Sequence, residues 1–189
     1  MIFRSRIQYG FTLIETIIVI ALSTSMMIAL GSLIYSFNTI SVYQQASMRS
    51  SSSASAVMRD IESLTLPANA VLQIYTFSGV TYTSSSTVLV LEIPSIDNSG
   101  NVIANTYDYA VFYSVDTNVY RLIEANALSN RSSSVKKLSS TVNTLSFVYD
   151  NDMDFTQISI VTVDIQTQTE AKQEIISDHM SEQIRLRNH

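Results

Sequence analysis

An apolar run near the N-terminus constrains this chain more than any other feature. No charged residue occurs between Glu15 and Arg49, and the stretch from Phe11 to Phe37 exceeds the roughly 20 apolar residues that span a bilayer. One carboxylate, Glu15, stands just inside the run, and Arg4 and Arg6 precede it. A charged side chain at the centre of a membrane helix costs roughly 2.5–3.5 kcal/mol on insertion scales. Such a group is retained when something needs it. The two arginines orient the run, because basic residues stay on the cytoplasmic side, and the bulk of the chain is then expected outside the cytoplasm.

Residue patterns alone allow two ordinary readings of this segment. A secretory signal has a basic start, an apolar core of about 7–15 residues and a small-residue cleavage site, and Ala29-Leu30-Gly31 offers one, with Ser32 as the new start. A plain uncleaved anchor is the other. Neither accounts for Gly10-Phe11-Thr12-Leu13-Ile14-Glu15 between the short basic leader and the apolar run. That arrangement resembles the cleavage and methylation signal of type IV prepilins and type II secretion pseudopilins. The resemblance implies that a prepilin peptidase cuts after Gly10. Phe11 then becomes the methylated N-terminus, and Glu15 is the carboxylate that pairs with the Phe11 ammonium of a neighbouring subunit during assembly.

Helical periodicity continues past the span. Ile40, Tyr43, Ala54, Val57, Met58, Ile61 and Leu64 recur at helical spacing, with Arg59, Asp60 and Glu62 off the stripe. Ser50 to Ser53 weaken the middle, since serine is a mediocre helix former. Pro67 stops the helix, because the residue before a proline disfavours helical geometry. A helix from Phe11 to about Leu66 runs roughly 84 Å at 1.5 Å per residue. The hydrocarbon core is only about 30 Å thick, so the second half is expected outside lipid, its stripe free to pack on a head. A bipartite helix of this kind is also similar to that of the pilins, although Gly31 and serines stand where major pilins carry a proline.

From Val71 the period becomes alternating. Val71–Phe77 and Val88–Ile93 read as strands, and Asp97–Asn101 as a turn. Tyr107, Tyr109, Val111, Tyr113 and Val115 share one face of a strand that turns at Asp116-Thr117-Asn118 into Val119–Ile123. Asn126–Ser140 is polar and reads as a loop. Leu145–Tyr149 and Ile158–Ile165 are two further strands around an acidic turn. The expected fold is α+β, a long N-terminal helix packed on an antiparallel β head. Residues 1–10 form the leader, 11–37 the membrane segment, 38–66 the outer half of the helix and 67–189 the head. The Val57–Ile61 turn, the hairpin from Tyr113 to Ile123 and the closing Arg185-Leu186-Arg187-Asn188 resemble the J-type minor pseudopilins and PilW-type minor pilins.

Composition closes off several functions. The net charge of −5 does not suit nucleic-acid binding, which wants a basic face. With no cysteine among 189 residues there is neither disulfide stapling nor thiol chemistry. Many pilins carry a C-terminal disulfide, so this head relies on packing. No Gly-x-Ser-x-Gly elbow, phosphate loop or His-Glu-x-x-His helix occurs, and neither catalytic residues nor a cofactor is expected. His179 and His189 lie in a polar tail. Asp150, Asp152 and Asp154 alternate like the opening of a calcium loop, which some pseudopilins possess. The sixth and twelfth places of an EF-hand are Phe155 and Val161, and a solvated acidic turn is the other reading. The tyrosines fall mostly in strands, where aromatic residues favour packing. A tyrosine-rich adhesive face is the alternative, and with it a membrane-anchored adhesin that builds no filament. If the family resemblance holds, the partners are prepilin peptidase, other pilin or pseudopilin subunits, an inner-membrane assembly platform and membrane lipid. The protein is then a filament subunit anchored in the cytoplasmic membrane and not an enzyme.

Overall fold

The computed structural model describes residues 12–151 and 153–187. A single helix, α1 (Leu13–Thr65), precedes ten strands: β1 (Ala70–Val71), β2 (Ile74–Phe77), β3 (Val80–Thr83), β4 (Val88–Ile96), β5 (Val102–Val115), β6 (Asn118–Glu124), β7 (Ser134–Ser139), β8 (Val142–Tyr149), β9 (Ile160–Ala171) and β10 (Glu174–Arg185). A short 3-10 helix, Phe155–Gln157, separates β8 from β9. The strands form an antiparallel five-stranded sheet in the order β1-β4-β5-β6-β7, a three-stranded sheet in the order β10-β9-β8, and the β2–β3 hairpin. The expected α+β architecture is present: a long N-terminal apolar helix and antiparallel β-sheets on which its later turns pack. By contacts the chain divides into two units, Met1–Tyr43 and Gln44–His189.

Within the second unit, the helix buries Ala46, Ser50, Ala54, Val57, Met58, Ile61 and Thr65, a single face at spacings of three and four. The serines read as weak points have a packing role. Ser50 Oγ lies 2.7 Å from Thr167 Oγ1, with both residues fully buried, and Ser53 Oγ lies 2.6 Å from Ser139 Oγ. Small hydroxyl side chains let the helix approach the strands closely and satisfy one another there, as buried polar groups must. Off the stripe, Asp60 pairs with Arg121 of β6 at 2.5 Å and with Lys136 of β7 at 3.2 Å.

β4, β5 and β6 are sided by the two-residue pleat. Leu89, Leu91, Ile93, Ala110, Phe112, Val119 and Ile123 join the helix in one core, together with Leu145, Phe147, Val161, Val163 and Ile165 from the second sheet. Val90 and Val111 face the other way, where Phe77 of the β2–β3 hairpin covers them and Tyr75, Tyr82, Tyr109, Tyr113 and Leu122 surround them. The tyrosine face read from the sequence is therefore the face turned from the helix.

Three local expectations are corrected. Val71–Phe77 is not one strand. Leu72 N donates to Val90 O, and Ser84 Oγ donates to Leu72 O, so the chain leaves the large sheet there and enters the hairpin. Asn126–Ser140 is not all loop, because Ser134–Ser139 forms the edge strand β7. Its polarity is that of an edge, where lysine guards unpaired backbone groups. The polar tail is strand β10, paired with β9 over its whole length through a two-residue turn at Lys172-Gln173, both at positive φ. His179 in β10 is exposed, as expected, and lies 3.3 Å from Asp164, while His189 falls outside the described residues.

The loop after β6 is pinned by one buried carboxylate. Asp108 is fully buried and accepts hydrogen bonds from Ser95 Oγ (2.8 Å), Asn126 N (2.8 Å), Ser129 Oγ (2.7 Å) and the Arg131 guanidinium (2.7 Å). Burial alone raises its pKa, but the hydrogen bonds, that of Arg131 foremost, outweigh burial and hold it below the usual carboxylate value. A lowered folded pKa adds stability that is full above the unfolded value of about 3.9 and disappears as pH falls through the folded value. Arg131→Ala leaves this charge buried without its partner and is expected to cost about 3–5 kcal/mol in urea unfolding of the full chain in detergent micelles. Asp108→Asn is expected to flatten the acid limb of the stability–pH curve below about pH 4.

Candidate functional site

The first unit is the first part of α1. From Thr12 to Asn38 every residue is exposed, including Leu13, Ile14, Ile17, Ile18, Leu22, Met26 and Ile28. α1 is long and apolar enough to cross a membrane, and none of its most apolar stretch is buried. Four of its hydroxyls are satisfied within the helix. Thr24 Oγ1 donates to Ile20 O (2.8 Å), Ser25 Oγ to Ala21 O (2.9 Å), Ser36 Oγ to Ser32 O (2.9 Å) and Thr39 Oγ1 to Tyr35 O (2.9 Å). Polar groups bonded within their own helix are compatible with lipid, where unsatisfied ones are costly.

Glu15 lies in the first turn of this helix. Its Oε2 accepts from Thr12 N at 3.3 Å and from Thr12 Oγ1 at 3.4 Å, while Glu15 N donates to Thr12 Oγ1 at 3.3 Å. This reciprocal pairing is a capping box, in which residues three apart satisfy helix-end donors that have no partner in the helix. The carboxylate also complements the positive end of the helix dipole. Glu15 is therefore not isolated in its own chain, although among the described residues no basic side chain lies within 4 Å of it. Reading Glu15 as a lone charge missed Thr12. The Thr-x-x-Glu spacing is the sequence signal of this pairing. Gly10 and Phe11 lie outside the described residues.

The acidic turn is closed on itself. Asp150 accepts from Ser159 Oγ at 2.7 Å and from Ser159 N at 3.1 Å. Asp154 caps the 3-10 helix, accepting from Thr156 N (3.0 Å) and Thr156 Oγ1 (2.6 Å). Both carboxyls are held below their usual pKa. At Asp150 burial opposes the shift and the Ser159 bonds override it, and at Asp154 the Thr156 bonds lead. Asp152 lies outside the described residues, and among the described ones no three His, Asp or Glu side chains gather as a metal site.

Against known families, residues 5–31 match the prokaryotic N-terminal methylation motif. Neither a curated protein nor a solved structure matches the chain. The motif is that of type IV pilin-like precursors processed by prepilin peptidase, and it spans the leader, the Gly10–Glu15 segment and the start of the exposed apolar helix. Motif and helix together fit anchoring in the inner membrane. The match ends at residue 31 and does not reach the β-rich unit.

The capping box makes a local prediction. Thr12→Ala removes the hydroxyl and is expected to cost roughly 1 kcal/mol of first-turn stability, seen as about fivefold faster amide exchange at residues 14–16 of the micelle-bound chain.

Proposed function

We propose that the chain is a minor pilin or pseudopilin: a structural subunit that prepilin peptidase cuts between Gly10 and Phe11, methylates at Phe11 and releases into filament assembly. The observation that carries this reading is the methylation motif lying in register with a helix whose apolar side chains have no protein against them. In this scheme residues 1–10 remain in the cytoplasm, 11–37 cross the inner membrane, and 38–66 and 67–189 lie outside it.

Cleavage creates an ammonium at Phe11, four residues from Glu15. Within a bundle of such helices, Glu15 of one subunit takes the Phe11 ammonium of the next. Both charges are costly in an apolar core unless paired, and pairing fixes the axial register between subunits. The Thr12–Glu15 bonds hold the carboxylate at the helix end until that partner arrives. They are long, at 3.3–3.4 Å, which suits exchange for a shorter charge-assisted bond. A β-rich unit with two sheets and an added hairpin supports assignment to the J-type or PilW-type minor subunits, which help start assembly with partner subunits.

Gly10→Ala is expected to keep the leader attached, and mass spectrometry of the mature chain to find methylated Phe11 in the wild type. An N-terminus at Ser32 or an intact Met1 contradicts the assignment, and an intact Met1 favours the simple anchor of an adhesin. Glu15→Val is expected to insert and be cleaved normally yet to be absent from sheared filaments. Wild-type incorporation of that variant sinks the register argument.

A further inference from the structure

The head has two outer sheet edges, and the flanks beside them carry opposite charge. β7 ends the five-stranded sheet and β10 ends the three-stranded one. An outer edge offers backbone groups to another strand, and charged side chains decide which strand is admitted. Beside β7, Ser53 of α1 meets Ser139, and Asp60 of α1 holds Lys136. Arg49 precedes Ser53 by one turn and so falls on the same flank of the helix. It is exposed, and among the described residues no carboxylate lies within 4 Å of it. Lys136 is the more exposed of the two cations on Asp60, and Arg121 keeps that carboxylate paired when Lys136 turns outward.

Beside β10 the sign is reversed. Met180 and Ile184 of β10 pack toward the core shared with α1. The pleat places Asp178 and Glu182 on the same side of the strand, where both are half-buried. Among the described residues no Lys, Arg or His side chain comes within 4 Å of either. The spacings of the two flanks match. Arg49 and Asp60, which holds Lys136, are about 16 Å apart along the helix, and Asp178 and Glu182 are about 13 Å apart along the strand. The levels match as well, because Asp178 is the register partner of Thr167, which bonds Ser50.

Strand direction selects the partner. From Ser53 to Asp60 the contacts on β7 run back from Ser139 to Lys136, so β7 is antiparallel to α1. From Ser50 to Leu66 the contacts on the ribbon run forward from the level of Asp178 to Arg187, so β10 is parallel to α1. Two copies with α1 pointing the same way therefore bring β10 and β7 together as an antiparallel pair. Copies anchored in one membrane by the same apolar helix share that orientation. We propose that β10 of one copy adds to β7 of a second copy, with Asp178 and Glu182 set against Arg49 and Lys136. A twofold pairing of β10 with β10 sets acid on acid, and one of β7 with β7 sets lysine on lysine. Either one also turns the two helices in opposite directions. The mixed contact is heterologous, so each pair keeps one free edge of each kind and further copies add. It needs neither cleavage at Gly10 nor pairing of Glu15, and its failure leaves the reading of those residues standing.

The test is sedimentation velocity of the full-length chain in excess detergent micelles. The wild type is expected to form species beyond the dimer as its concentration rises, and to dissociate as salt is added. Asp178→Asn with Glu182→Gln, which keeps the shape of the edge, is expected to weaken association about tenfold. Asp178→Lys with Glu182→Lys, and separately Arg49→Glu with Lys136→Glu, are expected to be monomeric alone and to associate when mixed. A wild type that stays monomeric, or that stops at the dimer, overturns the proposal. Unchanged association of the neutral variant overturns it, as does a mixture of the two charge-reversed chains that remains monomeric.

Discussion

An exposed apolar helical surface determines how this molecule can exist. The side chains from Leu13 to Phe37 are exposed throughout. Each square ångström of that surface left in water costs roughly 25 cal/mol, so the segment must be covered by lipid or by other helices. The hydroxyls of Thr24, Ser25, Ser36 and Thr39 permit both, because they are bonded back to their own helix. Glu15 is the charged group of this segment. Its capping box lets the chain carry the charge at the helix start, and the ammonium that cleavage would create nearby offers it a stronger partner.

The same helix follows a different rule in the second unit. There its buried positions are narrow and small, with Ala46, Ser50 and Ala54 before Val57, Met58 and Ile61. Large side chains would hold the helix away from β9 and β7. Alanine and serine let it settle close enough for Ser50 to meet Thr167 and for Ser53 to meet Ser139. The bulky apolar contacts come later, where the helix faces Leu91, Phe112 and Phe147 in the shared core. Asp60, with Arg121 and Lys136, ties the same turns to β6 and β7 from the flank.

How much of this was legible depended on whether a residue acts with its neighbours in sequence or with distant ones. The apolar run, the stripe from Ala54 to Ile61 and the alternation from Tyr107 to Val115 are local patterns, and each appears in the structure on the face expected of it. Strand β7 and strand β10 were missed because edge positions tolerate polar residues, so neither shows the apolar alternation that marks a strand. The break after Val71 depends on Val90 and Ser84, which nothing near Leu72 announces. At the N-terminus, the partner of Glu15 within its own chain is Thr12, three residues away, a spacing that is legible as Thr-x-x-Glu. The network around Asp108 joins Ser95, Asn126, Ser129 and Arg131 over distances in sequence that no motif spans.

The two faces of the large sheet then divide the work. One face is committed to α1 and is closed by large apolar side chains. The other is only partly covered, since a four-residue hairpin strand cannot roof a sheet whose central strand has 14 residues. Around the hairpin this face carries Tyr75, Tyr82, Tyr109 and Tyr113, whose rings pack while their hydroxyls tolerate water. Substitutions on the face turned from α1 and in the core beneath it can accordingly act independently, because strands β4 to β6 separate the two layers.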